Sequence, residues 1–380
     1  MGISDPTGPT GPTGQGPWLE ALDFQQTPWL MQSAESDVVV SSRVRLARNL
    51  AGFRFVARAD VADRAAVLEL VRSRLGKAEF PNRGRAAWID IHALERQDRD
   101  LLVERHLISP HLARGLKSAS STNASDPRAV VVSLPDECLS IMVNEEDHLR
   151  LQSLRPGLAL EQAYADVDGA DDLIERTIDY AYDPRFGYLT ACPTNVGSGI
   201  RLSVMLHLPA LRMLGEIEKV KRAANDMSLA VRGFWGEGSD ADGDFYQISN
   251  QTTLGRTESV MLDDLQRTIV PRVIDYERRA RERLLSQRRL LLEDTVYRSL
   301  GVMQNARRMA TSEAMQRLSE IRLGATLGLL ESPSLDEISQ LLMLIHPAHL
   351  QRTLGRALAQ DERRVERATL LRHRLAQPPG

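Results

Sequence analysis

Short apolar runs alternate with amphipathic stretches over the first two thirds of the chain, and from about residue 257 only the amphipathic stretches continue. The run Val38-Val39-Val40 and its continuation to residue 46 predict a strand, on which Arg43 and Arg45, two apart, share one face. Residues 59–75 carry Ala62, Ala66, Leu70 and Val71 at helical spacing, and Trp88 to Ile91 reads as a strand. Residues 98–112 predict a helix that carries His106 and breaks at Pro110. Two strands, 129–134 and 139–143, are joined by Pro135-Asp136-Glu137-Cys138 as a tight hairpin, and 158–181 is mostly helical.

A glycine-punctuated loop from Cys192 to Gly199 is expected to lead into a helix over 200–208, with Arg201 in its first turn. A second glycine-rich loop, 232–238, precedes a strand at 245–250. Farther on, Val273, Tyr276, Ala280 and Leu284 keep helical spacing, and Ser334-Leu335-Asp336-Glu337 is a capping box ahead of Leu341, Leu342 and Ile345. The pattern divides the chain into a mixed region, 17–264, and an all-helical one, 265–380, suited to a bundle or a dimer interface. Trp18, Leu19 and Leu22 open a short helix, whereas residues 1–16, rich in Pro and Gly, are expected to be a disordered tail.

Composition narrows the function more than the fold. A net charge of −3 gives no bulk attraction for nucleic acid, and no window is long and apolar enough to cross a membrane. The N-terminus lacks a basic segment followed by an apolar core, and the two cysteines, Cys138 and Cys192, have no Cys/His neighbours at zinc spacing, so a cytoplasmic protein without a direct metal site is expected. Of the 48 cationic residues, 48 − 4 = 44 are arginine. Position matters more than number here, because Arg43, Arg45, Arg150, Arg201 and Arg232 all stand at strand ends or loops.

Candidate chemistry centres on residues 140–150. There the run Ile141-Met142-Val143 ends in Asn144, three consecutive carboxylates (Glu145, Glu146, Asp147), His148 and Arg150. Strand alternation puts Asn144 and Glu146 on one face and Glu145 on the other. Alone, such a cluster reads as a solvated strand end before it reads as a site. Arg43 and Arg45 side by side need either carboxylates or a bound anion between them. Arginine is the side chain for bidentate phosphate contact, yet neither a P-loop nor the eukaryotic-type protein kinase motifs are present.

Four segments together resemble the ATP:guanido phosphotransferases: Ser41-Ser42-Arg43-Val44-Arg45, Asn144-Glu145-Glu146-Asp147-His148-Leu149-Arg150, Cys192-Pro193-Thr194-Asn195-Val196-Gly197-Ser198-Gly199-Ile200-Arg201 and Arg232-Gly233-Phe234-Trp235-Gly236-Glu237. They occur in the family's order. The resemblance implies an α+β fold, an antiparallel sheet flanked by helices forming the guanido-kinase catalytic domain, followed by an all-helical C-terminal domain. It also implies ATP and Mg²⁺ as cofactors, the ion held mainly by the nucleotide.

By position, the resemblance assigns Ser41, Ser42, Arg43, Val44, Arg45, His106, Arg150, Arg201, Leu202, Ser203, Val204, Met205, Arg232, Gly233, Phe234, Trp235, Gly236 and Glu237 to ATP binding. It makes Glu146 the base, Glu237 a second carboxylate on the guanidinium, and Cys192 the reactive thiol beside the substrate. The short stretch before Ser41 and the C-terminal placement of the helical domain resemble the bacterial protein-arginine kinases, the McsB branch. That branch implies protein substrates, a McsA-like activator, a Clp-type protease downstream and a homodimer. A kinase of free arginine or creatine and a catalytically silent adaptor are the competing readings. The branch's C-terminal phosphoarginine motif has its nearest match in Arg363, Arg364, Val365, Glu366, Arg367 and Ala368, with Arg364 where aspartate is expected.

Overall fold

The structure, a computed structural model, describes residues 18–376 apart from 20–21, 23–26, 34, 77–78, 81–83, 116–125, 234–241 and 252. The expected tail at 1–16 therefore lies outside the described residues. Strands β1 (Val39–Arg48), β2 (Glu79–Phe80), β3 (Gly84–Asp90), β4 (Ala129–Ser133), β5 (Leu139–Val143) and β6 (Leu149–Pro156) belong to one sheet. A small hairpin of β7 (Tyr182–Asp183) and β8 (Gly187–Tyr188) stands apart, and β9 (Ile200–His207), β10 (Leu229–Arg232) and β11 (Phe245–Asn250) complete the nine-stranded sheet. Its order is β10-β11-β9-β1-β6-β5-β4-β3-β2, and every pairing is antiparallel. The first long strand is thus central, flanked by β6 and β9.

Helices α1 (Val61–Leu75), α2 (Arg96–Glu104), α3 (Pro110–Arg114), α4 (Leu160–Glu175), α5 (Pro209–Met213), α6 (Ile217–Asp226) and α7 (Glu258–Asp263) are interleaved with the strands. A π-helical segment leads from α7 into α8 (Val270–Gln287), followed by α9 (Arg289–Asn305), α10 (Thr311–Thr326), α11 (Leu335–Leu344), α12 (Pro347–Leu354) and α13 (Gln360–Leu375). The capping box expected at Ser334 and Glu337 is formed and starts α11. None of the described helices is long and apolar enough to cross a membrane.

The period-two rule explains the layering. Val44 and Leu46 of β1, Leu149 and Leu151 of β6, and Ile200, Leu202, Val204 and Leu206 of β9 are fully or nearly fully buried on one face. There they pack on α1 through Val67 and Val71 and on α4 through Ala163, Val167 and Ile174. Helix α8 joins that same core through Ile274, Ala280 and Leu284. Two smaller cores lie elsewhere. One gathers Ile89, Val130, Val132 and Met142 with Leu101, Leu102 and Leu112 of α2 and α3. The other joins Trp29, Leu30, Leu154, Met205 and Phe245 to α10, α11 and α13.

Several expectations change. The segment expected to be a helix over 200–208 is instead the strand Ile200–His207: Ile200, Leu202, Val204 and Leu206 alternate with Arg201, Ser203 and Met205, and the sheet core takes the apolar set. Arg201 therefore opposes no helix dipole. The expected helix over 98–112 is two helices, because the chain turns at His106 in the left-handed region (φ 59°). Trp18 and Leu19 lie in a turn rather than a helix, and with Leu22 they pack on Ile89, Ile91 and Leu101. Strand β5 stops at Val143, so alternation does not run on through Asn144, Glu145 and Glu146.

Candidate active site

The ladder register brings the arginines together. In an antiparallel sheet directly opposed residues point to the same face. Arg45 opposes Arg201 on β9 and Gln152 on β6, Ala47 opposes Arg150, and Arg232 opposes Gln247, which itself opposes Met205. Arg43, Arg45, Arg150, Arg201 and Arg232 therefore share the face opposite the main core. Ser41, Ser203, Met205 and Gln247 accompany them, and with Arg43, Trp29, His106 and Leu154 they line a cavity on that face. Ser42, Val44, Leu202 and Val204 turn away: three are core side chains, and Ser42 donates to the carbonyl of Gly157 and accepts from the amide of Ala159 ahead of α4.

So many cations on one face are unfavourable without an anion. Burial first, then Arg150, Arg201 and Arg232, lowers the Arg43 guanidinium to about 9, and the same causes with Arg43 added depress Arg45 strongly. Arg43 donates to Gln247 (3.0 Å). Arg45 keeps its Nε and Nη2 buried without a hydrogen-bond partner. His106 sits beside them, edge-on to Trp29 (ring centroids 5.0 Å apart), and burial followed by Arg43 pushes its imidazole down to about 3, leaving it neutral. The residues present fit a triphosphate: donors in a planar fork, fixed charge on one sheet face, and the unpartnered nitrogens of Arg45 on that same face.

The turn from Asn144 to His148 is pinned at every side chain but one. Asn144 adopts φ 59° and donates from Nδ2 to the carbonyls of Arg64 and Pro127. Glu145 accepts from Arg150 at 3.0 Å and from Ser109 at 2.6 Å. Asp147 accepts from Asn49 and from the backbone N–H of Ala191, both at 2.6 Å. His148 accepts at Nδ1 from the Leu50 amide and faces the Arg54 carbonyl with Nε2, an arrangement that fits the neutral ring with its proton on Nε2. Glu146 alone is exposed, with no side-chain hydrogen bond or ion pair among the described residues. The turn is a rigid mount that presents one carboxylate.

Two supports reach outward. Burial tends to raise the Glu145 carboxyl, but Arg150 and the Ser109 hydroxyl hold it down at about 2. Its folded value lies below 4.5, so the pair contributes stability above pH 4.5 that is lost as pH falls toward about 2, roughly 3 kcal/mol at neutral pH. Glu145→Gln is expected to lower the urea-unfolding free energy by about that amount at pH 7, since it leaves Arg150 as one more unpaired cation. Measured at pH 3, the difference should shrink.

Asp147 behaves oppositely. Burial raises it to about 6 despite the Ala191 and Asn49 hydrogen bonds, with Glu146 and Glu145 adding to the rise. A raised acid is a cost in its ionised form: stability declines as pH climbs from about 3.8 to about 6, and the full cost stands above that. Asp147→Asn keeps an acceptor for Ala191 and should stabilise the fold by up to about 3 kcal/mol at pH 8 while changing little at pH 3.5. Asp147→Ala should destabilise at both pH values, which paired urea titrations would check.

Asp147 also ties the turn to the segment carrying Cys192. That thiol is partly exposed and lies 3.0 Å from the Thr194 hydroxyl. Gly233 is buried, whereas Phe234, Trp235, Gly236 and Glu237 fall outside the described residues. In the C-terminal motif, Arg367 is buried and donates to the carbonyls of Ile345, Met309 and Arg363; Arg363 donates to Leu358, and the more exposed Arg364 pairs with Asp361. Sequence reasoning gave no chemical role to Glu145 or Asp147 and did not single out Asn49, Ser109 or Gln247. Only Gln247 had a local signal, its place in the alternation of Phe245–Asn250.

The sequence profile of the ATP:guanido phosphotransferase C-terminal catalytic domain matches residues 66–280, and that of the protein-arginine kinase McsB C-terminal domain matches residues 289–379. A protein-arginine kinase of Halalkalibacterium halodurans is 45% identical over 350 residues, covering 92% of this chain and 95% of that protein. One from Shouchella clausii is 42% identical over the same length and shares of both chains. Among solved structures, the duplicated taurocyamine kinase of Schistosoma mansoni with bound transition state analog components superposes with a TM-score of 0.55 at 24% identity. That superposition covers 67% of this chain and 35% of the other, and it is a likeness of fold.

Proposed function

This chain belongs to the ATP:guanido phosphotransferase family, and from that premise we propose that it transfers the γ-phosphoryl group of ATP to arginine guanidinium groups in proteins. The observation that carries the reading is the shared face of five arginines, with two orphaned N–H groups on Arg45, beside a turn that presents Glu146. A substrate guanidinium is protonated, with a pKa above about 12, and becomes nucleophilic only as a proton leaves. Glu146 accepts that proton while the guanidine nitrogen bonds to the γ-phosphorus and the bond to the leaving ADP oxygen breaks. Phosphoryl transfer requires little beyond in-line positioning and neutralisation of spreading charge, which the arginines provide.

Neutral His106 adds a contact for the nucleotide that contributes no further positive charge. Glu237 is assigned as the second carboxylate gripping the guanidinium, and Cys192 as the thiol beside it. The donor set of the face is cationic and unsuited to caging a metal, so Mg²⁺ would be held by phosphate oxygens and would supply further charge neutralisation. In the C-terminal motif Arg367 and Arg363 already donate to carbonyls and Arg364 pairs with Asp361, so phosphoarginine recognition there would have to displace one of these contacts. The wider setting we infer is cytoplasmic: a homodimer acting with a McsA-like activator and marking proteins for a Clp-type protease.

Competition between substrate classes tests the activity. With ATP supplied, an arginine-bearing protein should be phosphorylated while free arginine and creatine are not. Efficient turnover of a free guanidine with no labelling of protein would replace this reading with that of a small-molecule kinase.

A further inference from the structure

The last residue of α2, Glu104, and the two that follow it, Arg105 and His106, diverge to three destinations. Glu104 reaches the start of α12, where its carboxylate accepts from the backbone amides of Ala348 (2.8 Å) and His349 (2.9 Å) and faces His349 Nδ1 at 2.8 Å. A carboxylate at a helix N-terminus satisfies free N–H groups and complements the dipole. Arg105 is fully buried and donates from Nε and Nη2 to the two oxygens of Glu137, at 2.7 and 2.5 Å. Its Nη1 lies 3.4 Å from His349 Nε2.

The partners assign the His349 tautomer. The carboxylate requires a donor at Nδ1 and the guanidinium requires an acceptor at Nε2, so one neutral imidazole serves both. From the same short segment, the Arg105 carbonyl accepts from Trp29 Nε1 (3.2 Å), and the His106 carbonyl accepts from Gln152. His106, its backbone held in the left-handed region, lines the same cavity as Arg43. The contacts that dock α12 and those that hold the backbone at His106 thus come from three consecutive residues, Glu104, Arg105 and His106.

We propose that His349 and Glu104 are positioning residues for the nucleotide half of the reaction, so that the seating of α12 in the C-terminal helices sets ATP affinity through Arg105 and His106. The inference rests on the reading of the arginine face as the ATP site. Linkage makes it reciprocal: ATP binding must tighten the docking of α12 by the same factor that docking tightens ATP.

The test uses the full-length chain. His349→Ala is expected to raise the ATP Kd and KM by about tenfold or more with kcat at saturating ATP changed less than about threefold, the signature of lost binding rather than lost chemistry. His349→Gln, whose amide can donate to Glu104 and accept from Arg105, should restore near-native values. Glu104→Gln gives a second, milder variant in case His349→Ala folds poorly. Hydrogen exchange of amides 346–354 should slow on ATP addition in the wild type and not in His349→Ala. If the wild type binds ATP but His349→Ala binds it equally well, the positioning role is overturned and the ATP site stands. If the wild type itself binds no ATP, the site assignment falls and takes the inference with it.

Discussion

Replacing Arg45 by Met should weaken nucleotide binding about 100-fold without weakening the empty fold. A buried cation lacking a partner costs free energy, and Arg45 is depressed by burial and by four neighbouring arginines, with two nitrogens unpartnered. Methionine keeps most of the apolar stem and removes that cost, so the thermal midpoint without ATP should be unchanged or higher. Charge-assisted hydrogen bonds to phosphate contribute about 1.5–3 kcal/mol each, and losing about 3 kcal/mol weakens binding about 100-fold. At ATP equal to 100 times the wild-type Kd, the wild type gains about 2.7 kcal/mol, while the variant should gain only about 0.4 kcal/mol. Thermal shift with and without ATP reads both quantities. A variant less stable when empty and still fully stabilised by ATP would show that Arg45 serves the fold and not the ligand.

Glu146→Gln should leave structure and nucleotide binding intact and remove most of the chemistry. The side chain is exposed and bonds to nothing among the described residues, so its substitution costs the fold little. General-base catalysis contributes about 10²–10⁴ in rate, and a glutamine of the same shape cannot accept the proton. A fall in kcat of about 10³ is expected, with the KM for ATP changed less than about threefold and the unfolding midpoint unmoved. Retention of full kcat would move the base elsewhere. The contrast with Glu145→Gln, expected to damage stability first, separates two adjacent carboxylates that local sequence pattern treats alike.

That contrast shows what was legible in the sequence. Arg43 and Arg45 were readable as a pair because a strand repeats every two residues, and the structure puts them on its central strand. Residues 200–208 were misread because a glycine loop followed by an apolar segment suits a helix or a strand, and only pairing with β1 and β11 chooses between them. The roles of Glu145 and Asp147 depend on Arg150, Ser109, Asn49 and Ala191, partners whose placement is a matter of register and loop path. The left-handed turn at His106 has no local glycine or asparagine to announce it; distant contacts with Gln152, Trp29 and α12 hold the surrounding chain. The three acids at the end of β5 are likewise a mount and a tool: Glu145 and Asp147 fix the turn, and Glu146 is left to act.

The chemistry of the product tests this assignment most directly. The chain should be incubated with ATP labelled in the γ-phosphate and an arginine-bearing protein, beside the same protein with its arginines replaced by lysine. Label that appears only on the arginine-bearing protein, survives alkali and is released by mild acid is the predicted result, since a phosphorus–nitrogen bond to guanidine behaves that way. Label that survives acid and is lost in alkali, or that appears equally on the arginine-free protein, would place the phosphate on a hydroxyl or other group and contradict arginine as the acceptor.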